Sequence, residues 1–328
     1  MLLSRQWPMG CLAIVVAMVL LGGCARSNAR LPQNETGDEA EIELGLTRSI
    51  ITGDIQPAVS NGKTDYNNLF PAVVLVDSAA VPGVSGDPGN CSGVLIERNL
   101  VLTAAHCMCA QARKSARNKI LDKSDCATSA VVKQYLFKAT FSRTGSIKGV
   151  SIDYPDFPGS AFLPDEFRME IDSQGAIKAI RADFAIIRLN DEIAVPIDHK
   201  LPTKEVAVDD RVSVVGFGST TVNGAEPSFI RNFGENLVTG IQVVEYKENP
   251  SSDDQHMETY FRREKEPNAE EGDSGGPCFH EDKSGQRWLV GIIHGKRRSI
   301  GATTVCLSTF RSRGIIDRLI SKARAKTN

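Results

Sequence analysis

The chain predicts an all-β barrel or sandwich that ends in one helix. Three observations carry this. Its apolar runs are strand-length and rich in Val, Ile and Leu, at 70–76, 93–96, 100–103, 184–189, 212–215 and 288–293. Gly, Asn or Pro clusters separate those runs. The last segment, 314–325, instead sets Ile315, Ile316, Leu319, Ile320 and Ala323 at helical spacing, with Arg and Lys elsewhere. With 328 residues, the chain can bury one large core or two modest ones.

The first residues stand outside that fold. Arg5 is the only charge before the apolar run 11–21, which is too short to span a bilayer comfortably but fits a secretory signal. Leu21-Gly22-Gly23-Cys24 resembles the bacterial lipoprotein box, which implies a signal peptide over 1–23 and a lipid-carrying Cys24. That would anchor the protein in the bacterial cell envelope, on its periplasmic or surface side. An ordinary signal and a secreted protein is the alternative. The stretch 24–58 is polar, with six carboxylates and three arginines after Cys24, and is expected to be a linker or pro-segment. From Val59 to 328 acidic and basic residues balance, and the folded domain is expected there. Within it, 153–159 (Asp-Tyr-Pro-Asp-Phe-Pro-Gly) reads as an irregular loop.

Composition is that of an ordinary globular protein, 41% apolar and 24% charged, with a formal net charge of -2. That charge argues against nucleic acid as a partner, and Lys296-Arg297-Arg298 reads as a solvated turn. Of eight cysteines, Cys11 leaves with the signal and Cys24 would carry lipid. The remaining six suggest disulfides in an oxidising compartment, with fifteen pairings open.

Three strings carry the chemistry: Thr103-Ala104-Ala105-His106-Cys107, Asp183-Phe184-Ala185-Ile186-Ile187-Arg188-Leu189 and Gly272-Asp273-Ser274-Gly275-Gly276-Pro277. A serine hydroxyl is a weak nucleophile until a base takes its proton. A histidine held by a buried carboxylate suits that task. The order His, Asp, Ser is that of chymotrypsin-type enzymes. On these strings the chain resembles the trypsin-like serine protease family, from about Val59 onward. Cys91-Ser92-Gly93-Val94-Leu95-Ile96 aligns with the family's strand before the histidine loop. Val214-Val215-Gly216-Phe217-Gly218 aligns with its Gly-Trp-Gly stretch.

The resemblance implies two six-stranded antiparallel barrels with the active site between them, and a C-terminal helix packed against the second barrel. It implies a serine endopeptidase working through an acyl-enzyme, with His106, Asp183 and Ser274 as triad, and Gly272 and Ser274 N–H groups as oxyanion donors. Cys91 and Cys107 match the family bridge beside the histidine. Cys109 and Cys126 then look like a local bridge within an insertion, which leaves Cys278 and Cys306 for each other. No metal and no cofactor is expected; protein or peptide substrates are, with the enzyme monomeric. The competing reading is a silent, protease-fold binding module on the cell surface, which typically follows loss of a triad residue.

Two regions depart from the family pattern. Asn268 stands where the base of the primary specificity pocket is expected, and Glu270 replaces a bridging cysteine. Gly291-Ile292-Ile293-His294-Gly295 is one residue short of the substrate-binding strand, so His294 and Gly295 are expected either to line the pocket or to fill a shortened turn. Elsewhere His199, His256 and His280 read as ordinary surface or core residues. Val59-Ser60-Asn61-Gly62 resembles the family's mature start, at the family's spacing from Pro71. Activation by cleavage before Val59, freeing an ammonium to pair with Asp273, is therefore expected.

Overall fold

Six strands, several of them continuous apolar runs, roll into a closed antiparallel barrel. The strands are β1 (Val73–Ser78), β2 (Asn90–Glu97), β3 (Leu100–Thr103), β4 (Ser129–Lys133), β5 (Asp156–Phe162) and β6 (Ala185–Leu189). Their order around the ring is β5-β6-β3-β2-β1-β4, with β4 pairing back to β5. Val94, Val101, Leu102, Ile186 and Ile187 are fully buried; sequence neighbours among them face opposite sides of their strands, so these strands are covered on both faces. β-Branched side chains suit such pleated, enclosed surfaces. This computed structural model describes residues 41–42, 59, 62–81, 89–141, 143, 147–218, 230–245, 255–261, 268–297 and 303–325. The chain divides into units Met1–Asp38 and Glu39–Asn328. The expected signal peptide, Cys24 and the Ala58 side of the proposed cleavage lie outside the described residues.

Six more strands form a second ring: β7 (Arg211–Gly216), β8 (Asn232–Glu245), β9 (Gln255–Phe261), β10 (Pro277–Glu281), β11 (Arg287–Arg297) and β12 (Thr303–Ser308). The sheet runs β11-β10-β7-β8-β9-β12, and an additional pairing of β11 with β12 closes it. Its core holds Val212, Val214, Val238, Val290 and Ile293, together with Val59. The two-barrel fold expected from the sequence is the observed one.

Two expectations are corrected. Of the loop expected over 153–159, residues 156–159 instead belong to strand β5, which is paired on both sides. Their Pro and Gly suggested a turn, yet a Cβ on Gly159 would lie 2.6 Å from the Arg188 carbonyl oxygen. The glycine is there because two strands approach closely. The C-terminal helix, α3 (Arg313–Ala325), packs on the first barrel rather than the second, against β6 and β5. Ile315, Ile316, Leu319 and Ala323 join the first barrel's core, and Arg188 Nη1 donates to the Ala323 carbonyl at 3.2 Å.

Among the described residues three disulfides are present: Cys91–Cys107, Cys109–Cys126 and Cys278–Cys306. They are consistent with an exported protein. Among the described residues no helix is long and apolar enough to cross a membrane. Arg231 reaches from the second ring to the first, its Nη1 donating to the Val73 carbonyl at 3.4 Å, and its Nε pairs with Asp65 Oδ2 at 2.7 Å, both side chains being fully enclosed. Arg231 also donates to the Tyr135 carbonyl (2.7 Å), and Asp65 accepts the Leu69 (2.7 Å) and Phe70 (3.1 Å) amides.

Candidate active site

His106 sits in a single helical turn, α1 (Ala105–Met108), directly after β3 and before the short helix α2 (Ala110–Ser115). The Cys91–Cys107 bridge ties that turn to β2, and Thr103 Oγ1 donates to the Ser92 carbonyl at 2.7 Å. Asp183 enters β6 from a tight turn, with Ala182 at φ 53° and the Phe184 amide donating to the Ala182 carbonyl. This turn aims the carboxylate at α1. Asp183 Oδ1 accepts the His106 backbone N–H at 2.8 Å, and Oδ2 lies 2.8 Å from His106 Nδ1. With its proton on Nδ1, His106 keeps a lone pair on Nε2.

His294 is the unexpected member. Its Nδ1 lies 2.5 Å from the same Oδ2, and the two imidazoles meet edge to face with centroids 5.7 Å apart. The cause is a β-bulge: Ile293 pairs with Cys306 and Gly295 with Val305, leaving His294 as the extra residue. A bulge bends the strand and re-aims a side chain. Here it turns His294 toward Asp183 instead of an ordinary cross-strand position. Burial alone would raise the Asp183 pKa, but His106 first and His294 next outweigh it, holding the carboxyl well below its usual range.

Ser274 comes from the opposite barrel, in the loop before β10. The hydrogen bonds it makes among the described residues go through its backbone, with the Ser92 amide donating to its carbonyl at 2.7 Å. The flanking Gly275 and Gly276 are stitched to Ile293, one residue from His294, by two further bonds of 2.7 Å. Gly272 has φ +97°, and a Cβ there would come 2.9 Å from Gly218 Cα, so no other residue fits. Its carbonyl accepts from Ser92 Oγ at 2.9 Å, while Ser92 Oγ accepts the Phe217 amide at 2.8 Å.

Asp273 is fully buried, and its carboxylate accepts the Gly218 and Glu270 amides, each at 2.7 Å. The carboxylate expected to lack any partner before cleavage is therefore served by backbone donors. Val59 is fully enclosed in the second barrel's core. Asn268 is buried, with Thr304 Oγ1 3.4 Å from its Oδ1 and 2.7 Å from the Ala269 amide that donates to it. Gly295 is half-buried beside the bulge.

A trypsin-like peptidase domain model matches residues 91–292, more than half of the chain. The chain belongs to that family. Among solved structures, this peptidase domain is similar to the inactive form of the Rv3671c protease, at 15% identity and TM-score 0.44, covering 76% of this chain and 89% of that one. It is also similar to human heparin binding protein, at 18% identity and TM-score 0.47, covering 79% and 96%. A double mutant of that human protein matches equally. No curated protein matches.

Two polar contacts of this trypsin-like domain escape sequence reasoning. One is His294 on Asp183, which needs the bulge to be seen. The other is the Ser92 hydroxyl, which spans the barrels to Gly272 and Phe217. The one signal for Ser92 is a hydroxyl residue directly after the bridging Cys91.

Proposed function

We propose that the chain is a serine endopeptidase in which His106, Asp183 and Ser274 form the catalytic triad. The observation that carries this reading is the buried Asp183 carboxylate, bonded to both the backbone N–H and Nδ1 of His106. That arrangement leaves Nε2 free to take the Ser274 proton as Oγ attacks a peptide carbonyl. Asp183 stabilises the imidazolium that forms, and His106 returns the proton to the leaving amine. The Gly272 and Ser274 N–H groups would hold the oxyanion; losing such a donor costs about 2.7–4 kcal/mol in the barrier. Asn268 and Thr304 give the expected specificity pocket a neutral, polar floor, and Gly295 belongs to its wall.

A fluorophosphonate probe, which reacts only with an activated serine, tests the reading. The mature protein should be labelled, and Ser274→Ala should not. Turnover of Ser274→Ala should fall by a factor on the order of 10⁶. Absent labelling of folded, mature protein would favour the binding-module reading.

We also propose that cleavage between Ala58 and Val59 activates the enzyme. Support comes from the complete burial of Val59 in the second core and from Asp273 lying against the Gly218 amide. A new ammonium at Val59 would add a cation beside the Gly218 and Glu270 amides that this carboxylate accepts. Full activity with the 58–59 bond made uncleavable would end this idea. Lipidation of Cys24 rests on the leader sequence. A Cys24→Ser protein should leave the membrane fraction while remaining folded and active.

A further inference from the structure

We propose that His106, Asp183 and His294 together bind a divalent cation of zinc type, and that its binding switches the hydrolytic site off. The binding claim stands on the geometry; the switching claim rests on the triad reading above. Each residue offers one donor atom, and the three lie within 4.8 Å of one another. Both imidazole nitrogens converge on a single oxygen, Asp183 Oδ2, at 2.8 and 2.5 Å. Two imidazoles and a carboxylate, with a fourth position for water, are a donor set zinc commonly takes. The neighbouring group Cys91, His106 and Cys107 is no rival, because those two sulfurs are joined in a disulfide and offer no thiolate.

Charge supplies the driving force. The Asp183 side chain is 1% exposed, and the ion pairs it makes among the described residues are with the two histidines alone. A buried carboxylate gains strongly from a dication that binds it directly. Zinc bonds of about 2.0–2.2 Å place tetrahedral donors roughly 3.3 Å apart, so the contacts of 2.8 and 2.5 Å must open by roughly 0.5 Å at His106 and 0.8 Å at His294. His294 can supply that movement: it stands at the bulge, and its side chain is the most exposed of the three, at 18%.

The consequence for His106 is a trapped tautomer. Zinc on Nδ1 moves that proton to Nε2 of the same ring; His294 makes the same exchange, and no electron changes place. With Nε2 protonated, His106 can donate but not accept, and the Ser274 hydroxyl keeps its proton.

The test is calorimetric titration of the full-chain Ser274→Ala protein with zinc chloride, which reads binding without catalysis. One saturable site is expected, weakened by at least roughly tenfold when His294→Ser is added. X-ray absorption of the zinc-loaded Ser274→Ala protein should show a nitrogen and oxygen shell with two imidazoles, which keeps the test decisive should His294→Ser misfold. In unsubstituted mature protein, zinc should suppress fluorophosphonate labelling and a chelator should restore it. No saturable binding, equal affinity in the two variants, or a shell with fewer than two imidazoles would overturn the site. Binding with labelling unchanged would overturn the switch. Labelling absent with and without zinc would count against the hydrolase reading and leave the titration to decide the site.

Discussion

The Ser92 hydroxyl accepts a hydrogen bond from the Phe217 amide and donates one to the Gly272 carbonyl, across the seam between the barrels. Ser92→Ala would strand a buried donor and a buried acceptor, each costing about 1–3 kcal/mol. A lower midpoint of thermal unfolding is expected, together with a loss in kcat larger than in KM, because Gly272 is a proposed oxyanion donor. An unchanged kcat would separate Ser92 from the oxyanion loop. Glu205, which accepts the Ser308 hydroxyl, offers a pH test. Burial raises its pKa, more than the Ser308 hydroxyl and Arg311 lower it. Its ionised form is therefore disfavoured in the folded state, and stability is lost as pH rises from its unfolded value toward its folded one. Glu205→Gln should gain thermal stability relative to the parent at pH 7 and lose that advantage near pH 4. Equal differences at both values would show that the carboxyl titrates normally.

At the scale of elements, the bulge in β11 is what separates the legible from the hidden. His106, Asp183 and Ser274 could be picked out because each lies in a short local string whose neighbours are set by its own turn. His294 was visible only as an oddity in a shortened strand. Its meeting with Asp183 depends on pairing between β11 and β12 and on one extra residue, information held by no local string. Strand β5 was obscured for a related reason: its Pro and Gly serve a close strand crossing, yet they are turn residues by composition. Helix α3 was readable from its spacing, but the barrel it covers was not, since the apolar stripe fits either. Leu319→Ala, at 3% exposure in that stripe, should cost about 2–5 kcal/mol in denaturant unfolding. A loss below about 0.5 kcal/mol, within the range of surface substitutions, would mean the helix contributes little to the first barrel.

For the whole molecule, Arg231 and Asp65 matter most, because catalysis as proposed needs His106 and Ser274 from different barrels. Arg231 precedes β8 of the second ring, yet its guanidinium reaches the Val73 carbonyl of the first. Arg231→Met would leave the Asp65 carboxylate enclosed without its cation, at a cost of about 3–5 kcal/mol. Chemical denaturation should show the loss; a variant within about 0.5 kcal/mol of the parent would rule out Arg231 as the rivet between barrels. The position of α3 adds a constraint of time. Every strand of the first ring has been synthesised by Leu189, yet the cover for β6 is not made until residues 313–325 emerge. A nascent chain must therefore carry an unfinished apolar wall through the synthesis of the entire second ring. The barrel begun first is the last to be sealed.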